Sequence, residues 1–376
     1  MKIKQLLERM VQIGASDLHI KPGLPPTIRL HGKLQRLDHP APTPKDMEEV
    51  ARQILTPVQR EKFERTREVD FAFGVTGLAR FRANFYVQRN TIAMVFRHVP
   101  VIIRSVEELN LPPVIGELAL RPRGLILVTG TVGSGKSTTL AAMVKSINQT
   151  LNSSIVTIED PIEFLHRDEK SIINQREVGS DTASYHDALR HILRQDPDVI
   201  LIGEIRDRET MEIALKAADT GHLVLSTLHT VDATQTVNRV ITFFPPHQHQ
   251  EVRYLLAATL QAVICQRLLP RVDETGMIPA VEVMVTTGTI RECIIDPEKT
   301  PLIAQSIREG VVQHKMQAFD QALMQLYQEG TVTLEEALRA SSNPHELTLR
   351  LKGIEATSDK TWEGFESGEV DAVTPK

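Results

Sequence analysis

One eight-residue segment constrains this chain more than any other. Residues 130–137 read Gly-Thr-Val-Gly-Ser-Gly-Lys-Ser, which fits the pattern GxxxxGK[ST]. The apolar run Leu125–Thr129 precedes it, and Thr138–Asn148 after it has the pattern of a helix. Such a loop curls backbone N–H groups around phosphate oxygens at the positive end of a helix dipole. We therefore predict a phosphate-binding loop within an α/β fold.

The loop also predicts its ligand, because its residues have separate roles toward a nucleoside triphosphate. Lys136 reaches the β and γ phosphates, and the Ser137 hydroxyl is a ligand of Mg²⁺. We predict ATP and Mg²⁺ as the bound groups. The further residues predicted to bind ATP are Gly130, Thr131, Val132, Gly133, Ser134, Gly135 and Thr138.

After the loop, short apolar runs alternate with helical stretches. The runs Ile155–Ile158, Val199–Ile202 and Leu223–Ser226 are separated by helical patterns, which predicts a mainly parallel sheet with crossover helices. Further helices are predicted at His247–Leu269, Leu302–Glu309, Ala318–Glu329 and Leu334–Ala340.

The first hundred residues read as a separate α+β unit. Segments Thr27–Leu30 and Lys33–Leu37 around Gly32 predict a hairpin. Two helices are expected to begin with proline after Thr43 and Thr56. Three strands are predicted at Phe71–Val75, Ala79–Val87 and Ile92–Val99. A proline-containing linker is expected at 101–122, before the second domain.

Carboxylates follow two strands of the predicted parallel sheet. Glu159, Asp160 and Glu163 follow the first strand, and Glu204 ends the apolar strand Val199–Gly203 in the manner of a Walker B motif. Either Glu163 or Glu204 could polarise the attacking water. A solvated turn before a helix is the alternative for the first cluster, and the neighbouring phosphate-binding loop favours the functional interpretation over it. His229 follows a third strand and is predicted to donate to the γ-phosphate or to Glu204.

Residues 71–106 contain arginines and no acid. Arg80 and Arg82 share one strand face, and Arg97 lies in the next predicted strand. An uncompensated cationic sheet favours an anionic partner, so we predict that Arg82 and Arg97 contact phosphate. A solvated edge strand is the simpler explanation for Arg89 and Arg104.

The overall charge argues against nucleic acid as a general ligand. The formal net charge is −5, and residues 355–376 carry six acids and two lysines, so the remaining chain is nearly neutral. We expect that acidic tail to be disordered. No apolar run is long enough to span a membrane, so we expect a cytoplasmic protein.

These motifs together resemble the secretion ATPases of type IV pili and type II secretion, and among them the pilus retraction ATPases. The family's Walker A, Asp box, Walker B and His box match GTVGSGKST at 130–138, TIEDPIEF at 157–164, LRQDPDVILIGEIRD at 193–207 and TGHLVLSTLHT at 220–230. Segments GASDLHI, GLARFRANFYVQR and VFRHVP, at 14–20, 77–89 and 95–100, also match.

The resemblance implies a PAS-like α+β domain at 1–100 and a RecA-like P-loop ATPase domain at 123–354 with a helical C-terminal part. It implies a homohexameric ring that acts with an inner-membrane pilus platform protein and with a paralogous pilus ATPase. Glu163 would then be the catalytic carboxylate, and Glu204 would hold Mg²⁺ through water. Arg82 and Arg97 would contact the γ-phosphate, and Arg239 is a further candidate.

The implied function is an ATP-hydrolysing hexameric motor for pilus retraction, associated peripherally with the inner membrane. The absence of a four-cysteine metal site separates the chain from extension ATPases. One departure favours an accessory or paralogous pilus ATPase: the family's AIRNLIRE segment appears here as Thr289–Asp296 without its second arginine. A RecA-like nucleic-acid motor and an assembly protein that barely hydrolyses ATP are the remaining alternatives.

Overall fold

In the computed structural model, residues 2–30, 32–99, 102–274 and 276–351 are described. Within them the chain divides into two compact units. The first runs to Ile103 and includes two later stretches, Ile158–Glu169 and Ile173–Ser184; the second contains the rest. The predicted acidic tail, 355–376, lies outside the described residues.

The described part of the first unit combines three helices with six strands that pair in antiparallel fashion. The sheet order is β3-β2-β1-β6-β5-β4. The elements are α1 (Ile3–Ile13), β1 (Asp17–Lys21), β2 (Leu24–Leu30), β3 (Lys33–Arg36), α2 (Pro44–Ile54), α3 (Pro57–Thr66), β4 (Glu68–Val75), β5 (Ala79–Gln88) and β6 (Thr91–Val99).

Local sequence explains why these helices begin and end where they do. Helices α2 and α3 each start with proline behind a capping box, Thr43 with Asp46 and Thr56 with Gln59. Helix α1 ends at Gly14, whose φ of 75° suits a residue without Cβ. The predicted helix starts and the β2–β3 hairpin are confirmed.

One face of this sheet is apolar and forms the core of the unit. Phe81 and Phe85 of β5 and Phe96 of β6 are fully buried, with Leu7 and Met10 of α1 in the same cluster. Phe85 and Phe96 meet edge to face with ring centroids 5.6 Å apart. Because side chains alternate along a strand, the residues between these phenylalanines lie on the opposite face.

The second unit is built on a sheet with the order β13-β12-β7-β11-β10-β8-β9. Its described elements are α4 (Val114–Ala119), β7 (Gly124–Thr129), α5 (Lys136–Thr150), β8 (Ser154–Glu159), β9 (Ile172–Glu177), α6 (Tyr185–Ile192), β10 (Val199–Ile202), α7 (Arg208–Asp219), β11 (Leu223–Leu228), α8 (Ala233–Thr242), α9 (His249–Thr259), β12 (Leu260–Pro270), β13 (Met277–Val285), α10 (Gly288–Ile295), α11 (Ile303–Glu309), α12 (Val311–His314), α13 (Phe319–Gln328), α14 (Leu334–Ala340) and α15 (Pro344–Leu351). Strand β9, with the end of β8, falls largely within the stretches that belong to the first unit.

Strand β7 is an interior strand of this sheet and is buried along its whole length. It pairs in parallel with β11 on one side and β12 on the other, and β11 pairs in parallel with β10. The mixed α/β class predicted from the sequence is confirmed. Among the described residues, none of the helices combines the length and apolar composition that crossing a bilayer requires.

The predicted helix His247–Leu269 is wrong in its second half. Helix α9 ends at Thr259, and the chain continues directly as β12. Strand β12 lies between β7 and β13, and its central residues Ala262–Cys265 are buried and form a continuous apolar run. A run of that kind fits a buried strand and a buried helix equally well, and periodicity does not separate the two.

Candidate nucleotide site

The phosphate-binding loop follows β7 and leads into α5. Gly130 has φ 144°, and a Cβ on it would lie 2.4 Å from Ser134 Oγ and 2.5 Å from the Gln266 carbonyl oxygen. Gly133 and Gly135 also have positive φ, 79° and 91°. The loop's path therefore requires glycine, for close approach at Gly130 and for conformation at the other two.

Lys136 is the first residue of α5 and only 9% exposed. Its Nζ donates to the carbonyl oxygens of Gly130 and Thr131, each at 2.9 Å, so the ammonium is held inside the loop. Ser137 and Thr138 follow in the first turn of the helix and are half-buried. Thr131 and Val132 are exposed at the loop's outer surface.

Glu204 lies just beyond the end of β10, where Thr227 of β11 fixes the backbone on both sides of it. The Thr227 hydroxyl donates to the Gly203 carbonyl at 2.8 Å, and the Ile205 N–H donates to the Thr227 carbonyl at 3.2 Å. The parallel pairing of β10, β11 and β7 brings the carboxyl ends of these strands to one edge.

Two cationic or donor groups hold the Glu204 carboxylate. Arg206 Nη2 lies 2.7 Å from Oε2, and His229 Nε2 lies 3.0 Å from Oε1. Partial burial favours a higher pKa for Glu204, but the hydrogen bond from Arg206 and the charges of Arg206, His229 and Lys136 bring that pKa below its ordinary value. Glu204 is therefore an ionised carboxylate at neutral pH.

The donor chemistry at this edge fits Mg²⁺. A serine hydroxyl at Ser137 and an ionised carboxylate at Glu204 are the hard oxygen ligands that Mg²⁺ takes, with water and phosphate oxygens completing its shell. Across the described residues, there is no cluster of three or more His, Cys, Asp or Glu that could hold a metal alone.

Arg239 lies on α8 in the second unit and is exposed. Its guanidinium carbon is 4.8 Å from the centre of the Phe243 ring. Within the described chain it has no ion pair with Glu204. The structure does not bring Arg239 into the Lys136–Glu204–His229 group, and its predicted contact with phosphate stays a prediction.

Arg82 and Arg97 lie in the first unit, directly opposite each other on β5 and β6. The row continues across the polar face of the sheet to Asp17 on β1 and Arg29 on β2. Arg97 Nε donates to Asp17 Oδ1 at 2.8 Å, and Arg29 Nε lies 3.8 Å from Oδ2. A hydrogen bond from Ser16 also reaches Asp17.

The expectation of an uncompensated cationic sheet is thus wrong for Arg97. The neutralising acid comes from β1, a strand distant in sequence that becomes its neighbour in the sheet. Burial acts to raise the pKa of Asp17, but hydrogen bonds from Ser16 and Arg97 lower it overall. Arg82 forms no ion pair among the described residues, so its charge stays unbalanced beside Arg97.

Arg82, Arg97 and Asp17 line one cavity of about 560 Å³ in the first unit. Lys62 and Asn84 also line the cavity, as do the acids Asp70, Asp160 and Glu177. The cavity is large enough for a phosphate-sized group, and two adjacent guanidinium groups are suited to bind one.

Glu163 lies on the loop after β8 and is exposed. Its backbone N–H donates to Glu159 Oε2 at 3.4 Å. Gln175 of β9 holds the same loop at three points: its amide nitrogen donates to Glu159 Oε1 and the Phe164 carbonyl, and its Oε1 accepts from the His166 N–H, at 2.9–3.2 Å. The Glu163 loop is therefore fixed from the strand beside it.

Comparison with known proteins places the chain in a family. Residues 110–347 match the model of the type II/IV secretion system protein family. The chain belongs to this family. The secretion-ATPase membership predicted from the motifs is confirmed.

Individual relatives match nearly the whole chain. The type IV pilus ATPase PilU of Pseudomonas aeruginosa is 40% identical over 363 residues, which are 96% of this chain and 94% of PilU. The type IV pilus retraction ATPase PilT of the same organism is 43% identical over 344 residues, 92% of this chain and 99% of PilT.

The structure matches as well. A crystal structure of the pilus retraction motor PilT with bound ADP superposes with a TM-score of 0.86 at 44% identity, covering 93% of this chain and 99% of that one. The family protein described here therefore shares the PilT fold: an N-terminal domain, then an ATPase domain with a helical C-terminal part.

Three residues of the site were missed from the sequence. Asp17 and Arg206 lie within matched motifs, and Gln175 lies outside them. A motif match does not identify the residue with which a side chain pairs, so nothing in the sequence predicted the pairing of Asp17 with Arg97. The position of Arg206 two residues after Glu204 was the one available clue.

Proposed function

We propose that this chain is an ATP-hydrolysing hexameric motor that powers type IV pilus retraction. The observation that carries the proposal is the match to PilT over 92% of this chain and 99% of PilT, because it includes both structural units. The phosphate-binding loop, the buried Lys136 and the ionised Glu204 supply the chemistry that such a motor needs.

The site residues divide the work of phosphoryl transfer. Lys136 and the backbone of 130–138 bind the phosphates, and Mg²⁺ held by Ser137 and through water by Glu204 would neutralise developing charge. Glu163 orients the attacking water, and His229 keeps Glu204 in position. Arginines stabilise charge on the γ-phosphate, a contribution worth several orders of magnitude in related enzymes.

We assign those arginine roles to Arg82, Arg97 and Arg239. A neighbouring subunit of a homohexamer supplies them, so each ATP is bound at an interface. The domain scheme is a PAS-like domain at 1–100, a linker at 101–122 and a RecA-like domain at 123–354. The motor is cytoplasmic, contacts an inner-membrane platform protein and a paralogous ATPase, and has no nucleic-acid substrate.

A second candidate is a paralogous pilus ATPase. The alignment with PilU extends over 96% of this chain, more than the alignment with PilT. The divergent segment forms α10, in which Ile290, Cys293 and Ile294 are buried and Arg291 is exposed. Ile295 occupies the position of the missing second arginine.

Gene deletion followed by piliation and surface-motility assays separates these functions. Excess pili that do not retract support the retraction motor, whereas bald cells indicate an extension motor. Loss of motility with normal pilus number favours the paralogous role. The purified chain should hydrolyse ATP, and Lys136→Ala and Glu163→Gln should reduce turnover at least a hundredfold. Wild-type protein without ATPase activity would contradict both candidates.

A further inference from the structure

Glu177 is a buried carboxylate that the proposed function does not yet use. It is the last residue of β9, and only 5% of its side chain is exposed. A buried charge is costly unless it is paired and hydrogen-bonded, so a carboxylate at such a position is held by specific partners.

Its partners lie on two different elements of the first unit. Glu177 Oε2 accepts from Arg80 Nη2 at 3.2 Å and from the backbone N–H of Ile162 at 3.3 Å. Arg80 lies on β5, and Ile162 directly precedes Glu163. One oxygen atom therefore joins the arginine-bearing sheet to the loop that carries the proposed catalytic carboxylate.

The turn that follows β9 keeps Glu177 itself in place. Ser180 Oγ lies 3.4 Å from Oε1, and the Glu177 N–H donates to Asp181 Oδ2 at 2.8 Å. The Glu177 carbonyl in turn accepts from the Asp181 N–H at 2.8 Å. With these bonds on its own side, Glu177 offers Arg80 and Ile162 a rigid acceptor.

Arg80 differs from Arg82, its neighbour on the same face of β5. Arg82 lies two residues away on the same face and has no acidic partner among the described residues, while Arg80 is 26% exposed and ion-paired with Glu177. Both fit one sequence pattern, but the paired Arg80 is directed to the protein's own loop and Arg82 is free to meet an anion.

We propose that Glu177 is a positioning residue for Glu163, and that Arg80 and Glu177 transmit the position of the first sheet to the Glu163 loop. The proposal rests on the proposed function, in which Glu163 orients the attacking water. A shift of β5 moves Arg80, Arg80 moves the Glu177 carboxylate, and the carboxylate moves the Ile162–Glu163 backbone. The arrangement makes turnover sensitive to the geometry of the sheet that bears Arg82 and Arg97.

The test compares Arg80→Gln, Glu177→Gln and the double variant with wild type. Each single variant should lower kcat about tenfold or more, because a misplacement of about 1 Å costs up to a hundredfold. The KM for ATP and the affinity for a fluorescent ATP analogue should not change, because the phosphate-binding loop is intact. The double variant should be no slower than the slower single variant, since both remove one connection.

Matched controls isolate the connection. Glu64→Gln, an exposed carboxylate on α3, should keep wild-type kcat. Arg80→Lys preserves the charge and should recover part of the rate. Because each single variant breaks a largely buried ion pair, thermal unfolding is measured for every variant, and the double variant, which leaves no unpaired charge, supplies the stability comparison.

Wild-type kcat in Arg80→Gln or Glu177→Gln would overturn the inference. So would full additivity of the two rate losses, or a rise in KM equal to the fall in kcat. These results leave the proposed function standing as long as the wild type hydrolyses ATP and Lys136→Ala does not. An inactive wild type would instead contradict the proposed function itself.

Discussion

His229 Nε2 lies 3.0 Å from Glu204 Oε1, while Arg206 holds the other oxygen of the same carboxylate. The two residues end neighbouring parallel strands, β10 and β11, so the sheet register places them together. The pair is next to the strand that leads into the phosphate-binding loop. A histidine on one strand thus fixes the acid on the next.

This contact predicts the behaviour of His229→Ala. Without the donor, Glu204 can rotate away, and kcat should fall by roughly tenfold, less than the roughly 10²- to 10³-fold lost when a donor that contacts the reacting group itself is removed. The KM for ATP should change little. Steady-state ATPase assays test this, with exposed His247→Gln as the control. A rise in KM with unchanged kcat would show that His229 only helps to bind ATP.

The variant Asp17→Asn should change the orientation of the Arg97 side chain although Arg97 itself is not substituted. The 2.8 Å hydrogen bond from Arg97 Nε would then go to a neutral amide oxygen in place of a carboxylate, and the guanidinium would lose its fixed orientation. We expect ATPase activity to fall toward that of Arg97→Ala, with Asp38→Asn as an exposed control. Full activity of Asp17→Asn beside an inactive Arg97→Ala would show that Arg97 needs no anchor.

The lowered pKa of Asp17 also predicts how the stability of the first unit changes at acid pH. Its pKa is lowered in the folded state, so its stabilising contribution is present above the ordinary aspartate pKa, 3.8, and is lost as pH falls through the lower folded value. Asp17→Asn should therefore be less stable than wild type at pH 7, and the difference should shrink below pH 4. Thermal unfolding between pH 3 and 7 measures it.

The raised pKa of Glu282 predicts the opposite dependence of stability on pH in the second unit. It lies on β13, accepts from the Ala233 N–H at 2.8 Å, and burial raises its pKa to about 7. A raised carboxyl pKa gives stability that is present at low pH and lost as pH rises through the folded value. Raising the pH from 6 to 8 should therefore lower the free energy of unfolding by about 1 kcal/mol through this single group.

Glu282→Gln should remove that loss, because glutamine keeps the acceptor for Ala233 and carries no charge. Its free energy of unfolding should exceed that of wild type at pH 8 and match it more closely at pH 5. Urea unfolding at both values is the measurement, with exposed Glu251→Gln as the control. Equal pH profiles for wild type and Glu282→Gln would contradict the prediction.

Gly130→Ala should cost more stability than Gly133→Ala. A Cβ at Gly130 would meet the Gln266 backbone oxygen at 2.5 Å, whereas a Cβ at Gly133 meets nothing within 4 Å. Gly133→Ala should lose only the cost of positive φ, about 1 kcal/mol. Gly130→Ala should lose that and the clash as well, and urea unfolding of both variants compares them directly.

The sequence predicted best where local chemistry decides the structure. The capping at Thr56, the strand before Gly130 and the strand before Glu204 need only nearby residues, and each is found in the structure. The helix predicted over residues 260–269 was wrong because burial on both sides removes the periodicity that distinguishes a strand from a helix.

Ion-pair partners on strands that are distant in sequence were not predicted either. No window around Arg97 contains Asp17, and no window around Arg80 contains Glu177, yet each pair is 2.8–3.2 Å apart. Sheet order decides which charges meet, and sheet order is a property of the whole unit. Sequence reasoning therefore found the chemical groups and missed their counterions.

The unbalanced Arg82 has a consequence for assembly. Two guanidinium groups opposite each other repel, and the single carboxylate of Asp17 is already shared with Arg29. Under the proposed function, in which Arg82 and Arg97 contact the nucleotide of a neighbouring subunit, that anionic ligand relieves this repulsion. Ring formation should thus strengthen with nucleotide and weaken as salt screens the attraction, so ionic strength would tune how readily the motor forms.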